Sequence, residues 1–143
     1  MGYSSDVEKA QKIATEAHKG AVDKSGQPYI LHPERVAAGV KTPEEKVVAW
    51  LHDVVEDTNV SMEEIEREFG PETAAAVRAI THEKEEPWAA YLMRVKANEV
   101  AKAVKISDLI DNSNLSRLSV VKPKDVKRQA KYNRALYFLM DVE

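Results

Sequence analysis

Helix-start signals recur along this chain while strand alternation is missing, and that combination limits it to an all-α fold. Ser5-Asp6-Val7-Glu8, Thr42-Pro43-Glu44-Glu45 and Ser61-Met62-Glu63-Glu64 are capping boxes. In each, a hydroxyl and a carboxylate three residues apart satisfy N–H groups left unpaired in a first helical turn. Val7, Ile13, Ala14 and Ala17 follow the first box at helical spacing, so that helix should end near Gly20. Residues 21–28 carry Asp, Lys, Ser, Gly and Pro and read as a loop. Pro33 suits a first turn, where its missing N–H costs nothing. The second box opens a run through Val47, Val48 and Leu51; the third is closed by Gly70, and Pro71 starts a further helix to Ile80. A loop at 83–86 leads into a helix over Pro87 to Ala97, another follows from Asn98 to Asn114, and the last runs from Pro123 or Asp125 to Met140. No repeat or linker divides residues 1–143, which suit a single domain.

Composition narrows the chemistry. The chain has 21 basic and 24 acidic residues, a net charge of −3, and this mild acidity argues against a grip on a nucleic acid polymer. It has no cysteine, which excludes disulfides, thiolate metal sites and a cysteine nucleophile. The apolar runs Trp88–Met93 and Ala135–Met140 are far too short to cross a bilayer. No charged-then-apolar leader opens the chain, and Asp6 stands where myristoylation after Met1-Gly2 would need Ser or Thr, so a cytoplasmic protein is expected. Lys24-Ser25 lacks the glycine before lysine that a phosphate-binding P-loop requires.

Between Val100 and Leu118 the chain is apolar nearly all round, through Ala101, Ala103, Val104, Ile106, Leu109 and Ile110, which marks a buried helix. Lys105, Asp108, Asn112 and Ser116 nevertheless recur as a narrow polar stripe. A buried carboxylate must be paired, hydrogen-bonded or bound to a metal. An Asp108–Lys105 pair satisfies that requirement as well as a metal would.

Histidine occurs only at positions 18, 32, 52 and 82. His52-Asp53 is followed at once by Glu56-Asp57, which sets two ligand-type groups beside two proton-transfer groups. Imidazole and carboxylate without sulfur suit manganese, iron or zinc with open water positions. Such an ion would acidify a bound water and hold a phosphate oxygen, and a nearby carboxylate would move protons. Helix geometry objects: adjacent residues point about 100° apart, so His52 and Asp53 do not converge on a regular helix.

Three segments in order decide the reading: Gly26-Gln27-Pro28-Tyr29-Ile30-Leu31-His32-Pro33, Leu51-His52-Asp53-Val54-Val55-Glu56-Asp57-Thr58 and Val104-Lys105-Ile106-Ser107-Asp108. Together they resemble the HD-domain metal-dependent phosphohydrolases. More narrowly, they resemble the hydrolase domain of the RelA/SpoT enzymes, which act on the stringent-response alarmone ppGpp, and its small stand-alone relatives. Ala17-His18-Lys19-Gly20, Phe69-Gly70 and Asn112 extend the likeness, which runs from about Ile13 to Leu118. The resemblance implies a compact helical bundle with a metal, typically manganese, in a central cleft. It implies His32, His52, Asp53 and Asp108 as metal ligands and Glu56 and Asp57 as the pair that activates water. Lys24 and Asn112 match nucleotide-contacting positions. The implied reaction removes pyrophosphate from the 3′ position of ppGpp, without the synthetase activity of the long enzymes.

Three positions depart from that pattern. Asp23 stands where the alarmone hydrolases carry an arginine and should repel phosphate; Leu109 replaces another arginine, and Leu115 a threonine expected near the ribose. They leave open a different nucleotide or phosphate ester as substrate, or a metal-bound nucleotide sensor without catalysis. Intact Glu56 and Asp57 count against the sensor. Lys105 orients Asp108 or touches phosphate. His18 is expected in packing or loop anchoring, His82 at a helix-end surface, and Trp50, Trp88 and Tyr91 in the core rather than against a base.

Overall fold

The computed structural model describes residues 3–142, with side chains from Ser5 onward. Met1 and Gly2, on which the myristoylation argument turns, lie outside the described residues. Across the described residues nine helical segments follow one another: α1 (Tyr3–Ala17), α2 (Leu31–Ala38), α3 (Pro43–Leu51), α4 (Val54–Asp57), α5 (Met62–Phe69), α6 (Pro71–Ile80), α7 (Trp88–Lys96), α8 (Glu99–Asn112) and α9 (Pro123–Leu139). Among the described residues the only extended pairing is one bridge between Val22 and Pro28. None of their helices is long and apolar enough to cross a membrane.

Local chemistry sets most boundaries. Thr42 Oγ1 accepts from Glu45 N at 3.1 Å while Glu45 Oε1 accepts from Thr42 N at 3.1 Å, closing the predicted box ahead of Pro43. Ser61 Oγ accepts from Glu64 N at 3.2 Å. Gly70 ends α5 and precedes α6 with φ 95° and ψ 173°, a conformation open essentially to glycine alone. Asn98 caps α8 through Ala101 N at 3.0 Å.

Two expectations fail here. Ser5 is not a cap, because α1 is already helical from Tyr3. The stripe on α8 stops at Asn112, where the helix ends, and Ser116 lies in the turn that follows.

Helices α3 and α8 form the centre. Every residue from Val47 to Leu51 is buried, since α3 is covered by α1, α2, α6 and α8. Helix α8 packs on α2, α3, α6, α7 and α9, with Ala101, Val104 and Leu109 fully enclosed. It is not apolar-covered all round: Ile110 is 56% exposed. Helices α2 and α8 approach closely at Gly39, where an added Cβ would lie 2.3 Å from Ser107 Oγ and 3.3 Å from Ser107 Cβ. Ser107 Oγ donates to Val36 O at 2.9 Å across the same contact. This seam sets His32 on α2 against Asp108 on α8.

Gly39→Ala should therefore lower stability by about 1–3 kcal/mol through overpacking, measured by urea denaturation. Adding Ser107→Ala should recover part of the loss, because the two positions touch.

Candidate metal centre

The chain brings His32, His52, Asp53 and Asp108 together from three places. His32 is the second residue of α2, Asp108 lies in the last turns of α8, and His52-Asp53 forms the joint between α3 and α4. That joint removes the geometric objection. Helix α3 stops at Leu51, and Asp53 takes φ −109° and ψ −5° before the single turn of α4 begins. The neighbours therefore turn toward each other, with His52 Nε2 3.1 Å from Asp53 Oδ2. His52 Nε2 is also 3.3 Å from Asp108 Oδ1. His32 Nε2 lies 2.8 Å from Asp108 Oδ1 and 3.8 Å from Asp53 Oδ2.

Outer hydrogen bonds decide which ring nitrogens are free. His52 Nδ1 donates to Ala49 O at 2.6 Å, which turns Nε2 inward, where it is buried and has no hydrogen-bond partner. His32 Nδ1 donates to Asp111 Oδ2 at 2.7 Å, so its Nε2 turns inward, where it meets Asp108 Oδ1 at 2.8 Å. With both Nε2 atoms set against Asp53 and Asp108, the cluster is balanced only when positive charge, as protons on the rings or as a divalent ion, lies among them. Neighbouring ligands of an ion with bonds of about 2.1 Å stand about 3 Å apart, close to the separations found here. The donor set fits a divalent ion, and the Nδ1 contacts are the outer partners that metal-bound histidines require.

The charges point the same way. Burial disfavours a charged imidazole, yet Asp53 and Asp108 outweigh it and hold His52 well above the ordinary histidine value. His32 is raised too, its burial overcome by Asp108 and Asp111. Burial pushes Asp53 up, but the histidines win and leave it at about 2. Asp108 is 3% exposed and uses both oxygens: Lys105 Nζ donates to Oδ2 at 2.9 Å and Asn112 Nδ2 to Oδ1 at 3.0 Å. The Lys105 pair and the ligand cluster, alternatives from the sequence, coexist on one carboxylate. Tyr29 Oη donates to Asp53 Oδ2.

Two recesses meet at this cluster. The larger, about 460 Å³, is lined by His32, Asp111, Lys24, Arg35, Arg117 and Arg128 among others. The smaller, about 330 Å³, contains His52, Asp53, Asp108, Glu56, Asp57, Lys105 and Lys131. Tyr29, Asn112 and Tyr132 line both. Lys24 and Asn112 therefore stand at the larger recess, and Glu56 and Asp57 at the smaller. Asp57 is pushed up to about 6, first by loss of water and then by the charges of Asp53 and Glu56.

Several positions differ from expectation. Asp23 lines the larger recess and also organises the loop that presents Lys24: Oδ1 accepts from Ser25 N, Ser25 Oγ and Gln27 N at 2.9, 2.7 and 3.0 Å. Leu109 is buried at the floor of the smaller recess and offers no charge there, and Leu115 lines the larger recess. His82, just past the end of α6, is half-buried and held in place rather than free at the surface. Its ring stacks on Tyr91 at 4.5 Å, Nε2 donates to Glu86 O at 2.8 Å, and its backbone N–H donates to Glu56 Oε1 at 3.1 Å. Buried His18 packs against Tyr29, 4.9 Å between centroids. Trp50 and Tyr91 are core residues, while Trp88 borders the smaller recess.

Asp111, Arg35, Arg117, Arg128, Tyr132 and Lys131 were not singled out from sequence. Arg35 stands one turn after His32 and Asp111 one turn after Asp108, so helical spacing carried a signal for both. Nothing local marked Arg117, which lies beyond α8, or the three residues of α9.

Comparison with known proteins gives the following. Residues 10–109 match the family described as the HD domain. The chain is 36% identical over 136 residues to a probable guanosine-3′,5′-bis(diphosphate) 3′-pyrophosphohydrolase of Synechocystis sp., covering 83% of this chain and 18% of that protein. It is 29% identical over 147 residues to a guanosine-3′,5′-bis(diphosphate) 3′-pyrophosphohydrolase of Aquifex aeolicus, covering 94% and 21%. The chain thus spans about a fifth of the length of these relatives. A solved structure described as a metazoan ortholog of SpoT superposes with a TM-score of 0.78 at 22% identity, covering 95% of this chain and 85% of that one. The fold is the same all-helical one.

His52→Ala should abolish tight divalent-metal uptake. Asp111→Ala, which touches no ion directly, should weaken it about 10–100-fold. Competition with a chromophoric chelator measures both.

Proposed function

The chain belongs to the HD-domain family, and from that premise we propose that it is a metal-dependent phosphohydrolase releasing diphosphate from the 3′ position of guanosine 3′,5′-bis(diphosphate). His32, His52, Asp53 and Asp108 hold the ion, with manganese the assigned metal. The bound ion supplies an acidified water and polarises a phosphate oxygen. The observation that carries this reading is the unpartnered His52 Nε2, buried against two carboxylates where two recesses meet.

The residues divide the work by recess. Lys24, Arg35, Arg117 and Arg128 give the larger one a cationic wall suited to the nucleoside and its 5′ phosphates, with Asn112 at its junction with the ligands. Glu56 and Asp57 lie in the other recess, beyond the ligand cluster, where an attacking water would approach in line with the 3′ oxygen. Their carboxylates take the water proton as the new P–O bond forms. The P–O3′ bond breaks, the departing 3′ oxygen is protonated, and the water oxygen leaves on the diphosphate. Glu56 is positioned by the His82 N–H. We place the enzyme in the cytoplasm, with a small-molecule nucleotide rather than a nucleic acid polymer as its substrate.

Hydrolysis of another nucleotide is the second reading. It is favoured by the Lys24 loop, where Asp23 is folded into the turn and no arginine is presented beside the lysine. Incubating the manganese-loaded protein with ppGpp and a panel of nucleotides, and assaying diphosphate and free phosphate separately, distinguishes the two. Diphosphate released from ppGpp alone supports the first; free phosphate from other nucleotides supports the second.

Glu56→Gln should keep metal affinity within a factor of about two of the parent and lower kcat roughly 10²–10⁴-fold, the range for loss of a proton-transfer group. Undiminished turnover would remove Glu56 from the proton path.

A further inference from the structure

In the reading above, the nucleoside occupies the larger recess and water enters through the smaller. There the bound ion is already matched by Asp53 and Asp108, and the released product needs a further cationic partner. The smaller recess is lined by four carboxylates, those of Asp53, Glu56, Asp57 and Asp108. A diphosphate bearing several negative charges would be repelled there unless positive charge met it. Two lysines line the same space. Lys105 is half-buried and already matched to Asp108 at 2.9 Å. Lys131 differs: it is exposed on α9, joins no ion pair among the described residues, and rests its ammonium 4.2 Å from the centroid of the Trp88 ring. An exposed cation–π contact is worth only about 0.5–1 kcal/mol, too little to keep a lysine from a multivalent anion.

We infer that the smaller recess is the seat of the released diphosphate and that Lys131, parked on Trp88, is its cation. This rests on the hydrolase reading. The geometry separates the two products by recess: the nucleotide stays with Arg35, Arg117 and Arg128, while the diphosphate remains between α4 and α9. Trp88 also serves as a reporter, because an anion that draws the ammonium away changes the environment of its indole. The other tryptophan, Trp50, is buried in α3 and supplies a constant background.

The test titrates inorganic pyrophosphate into the manganese-loaded protein, followed by calorimetry and by tryptophan emission. The parent should bind with a change in emission. Lys131→Gln should weaken binding about ten-fold, equivalent to about 1.4 kcal/mol, raise the product-inhibition constant for pyrophosphate equally, and leave Tm unchanged. Lys131→Arg should restore most of the affinity, and Lys127→Gln, on the same helix but outside both recesses, should match the parent. Arg128→Gln should weaken GDP binding and spare pyrophosphate. Equal pyrophosphate affinity in Lys131→Gln and parent overturns the inference, as does a loss in Arg128→Gln that matches or exceeds the loss in Lys131→Gln. Turnover of ppGpp, measured in parallel, separates the two ideas: Lys131-dependent pyrophosphate binding without turnover retains the seat and rejects the hydrolase reading, and turnover with Lys131-independent binding does the reverse.

Discussion

A carboxylate sunk into the middle of an apolar bundle is the constraint around which this molecule is arranged. Asp108 is almost fully enclosed on α8, and an ionised carboxylate in such a place is tolerated only if its oxygens are matched. Lys105 from the preceding turn and Asn112 from the following one meet that demand along the helix. His32 and His52 meet it from α2 and the α3–α4 joint. Burial pushes the Asp108 carboxyl up, but Lys105 first, and then the histidines, hold it well below the usual range. The close contact of Gly39 with Ser107 keeps α2 near enough for that network to close.

The same economy of partners organises the histidines. Each ring has one nitrogen tied to the protein outside the cluster, His32 to Asp111 and His52 to the Ala49 carbonyl, so the other is left pointing inward. Asp111 is in turn held by Arg35 at 2.7 Å and Arg117 at 3.2 Å. A chain of contacts therefore runs from the arginines of the larger recess to His32 in the cluster, and Asp111, held at about 2 despite its partial burial, stays ionised along it. Arg35, Arg117 and Arg128 gather on one side of the cluster, while Lys105 and Lys131 share the other with Glu56 and Asp57.

Much of this was legible in the residues. Capping chemistry located α3 and α5, Gly70 and Pro71 marked the corner before α6, and ordered histidine and aspartate motifs singled out the four inward-facing groups. Legibility ended where an inference needed two distant elements at once. Ser5-Asp6-Val7-Glu8 has the letters of a cap, but α1 begins before it, since the pattern cannot report whether helix already precedes it. Helical periodicity argued against a shared site for His52 and Asp53, because a break at Leu51 leaves no mark in spacing. Asp23 was legible as a negative charge beside Lys24 but not as the organiser of its loop.

By itself the sequence determined that the chain is helical, where most helices begin, and which residue types were available for metal chemistry, because caps, prolines and apolar periodicity act over a few residues. The tertiary structure alone decided which nitrogen of each histidine faces the cluster, that Arg35 and Arg117 reach His32 through Asp111, and that α9 supplies Arg128 and Lys131 to different recesses. Those outcomes depend on helices meeting across the bundle, and such meetings are set by the packing of whole faces rather than by any local pattern.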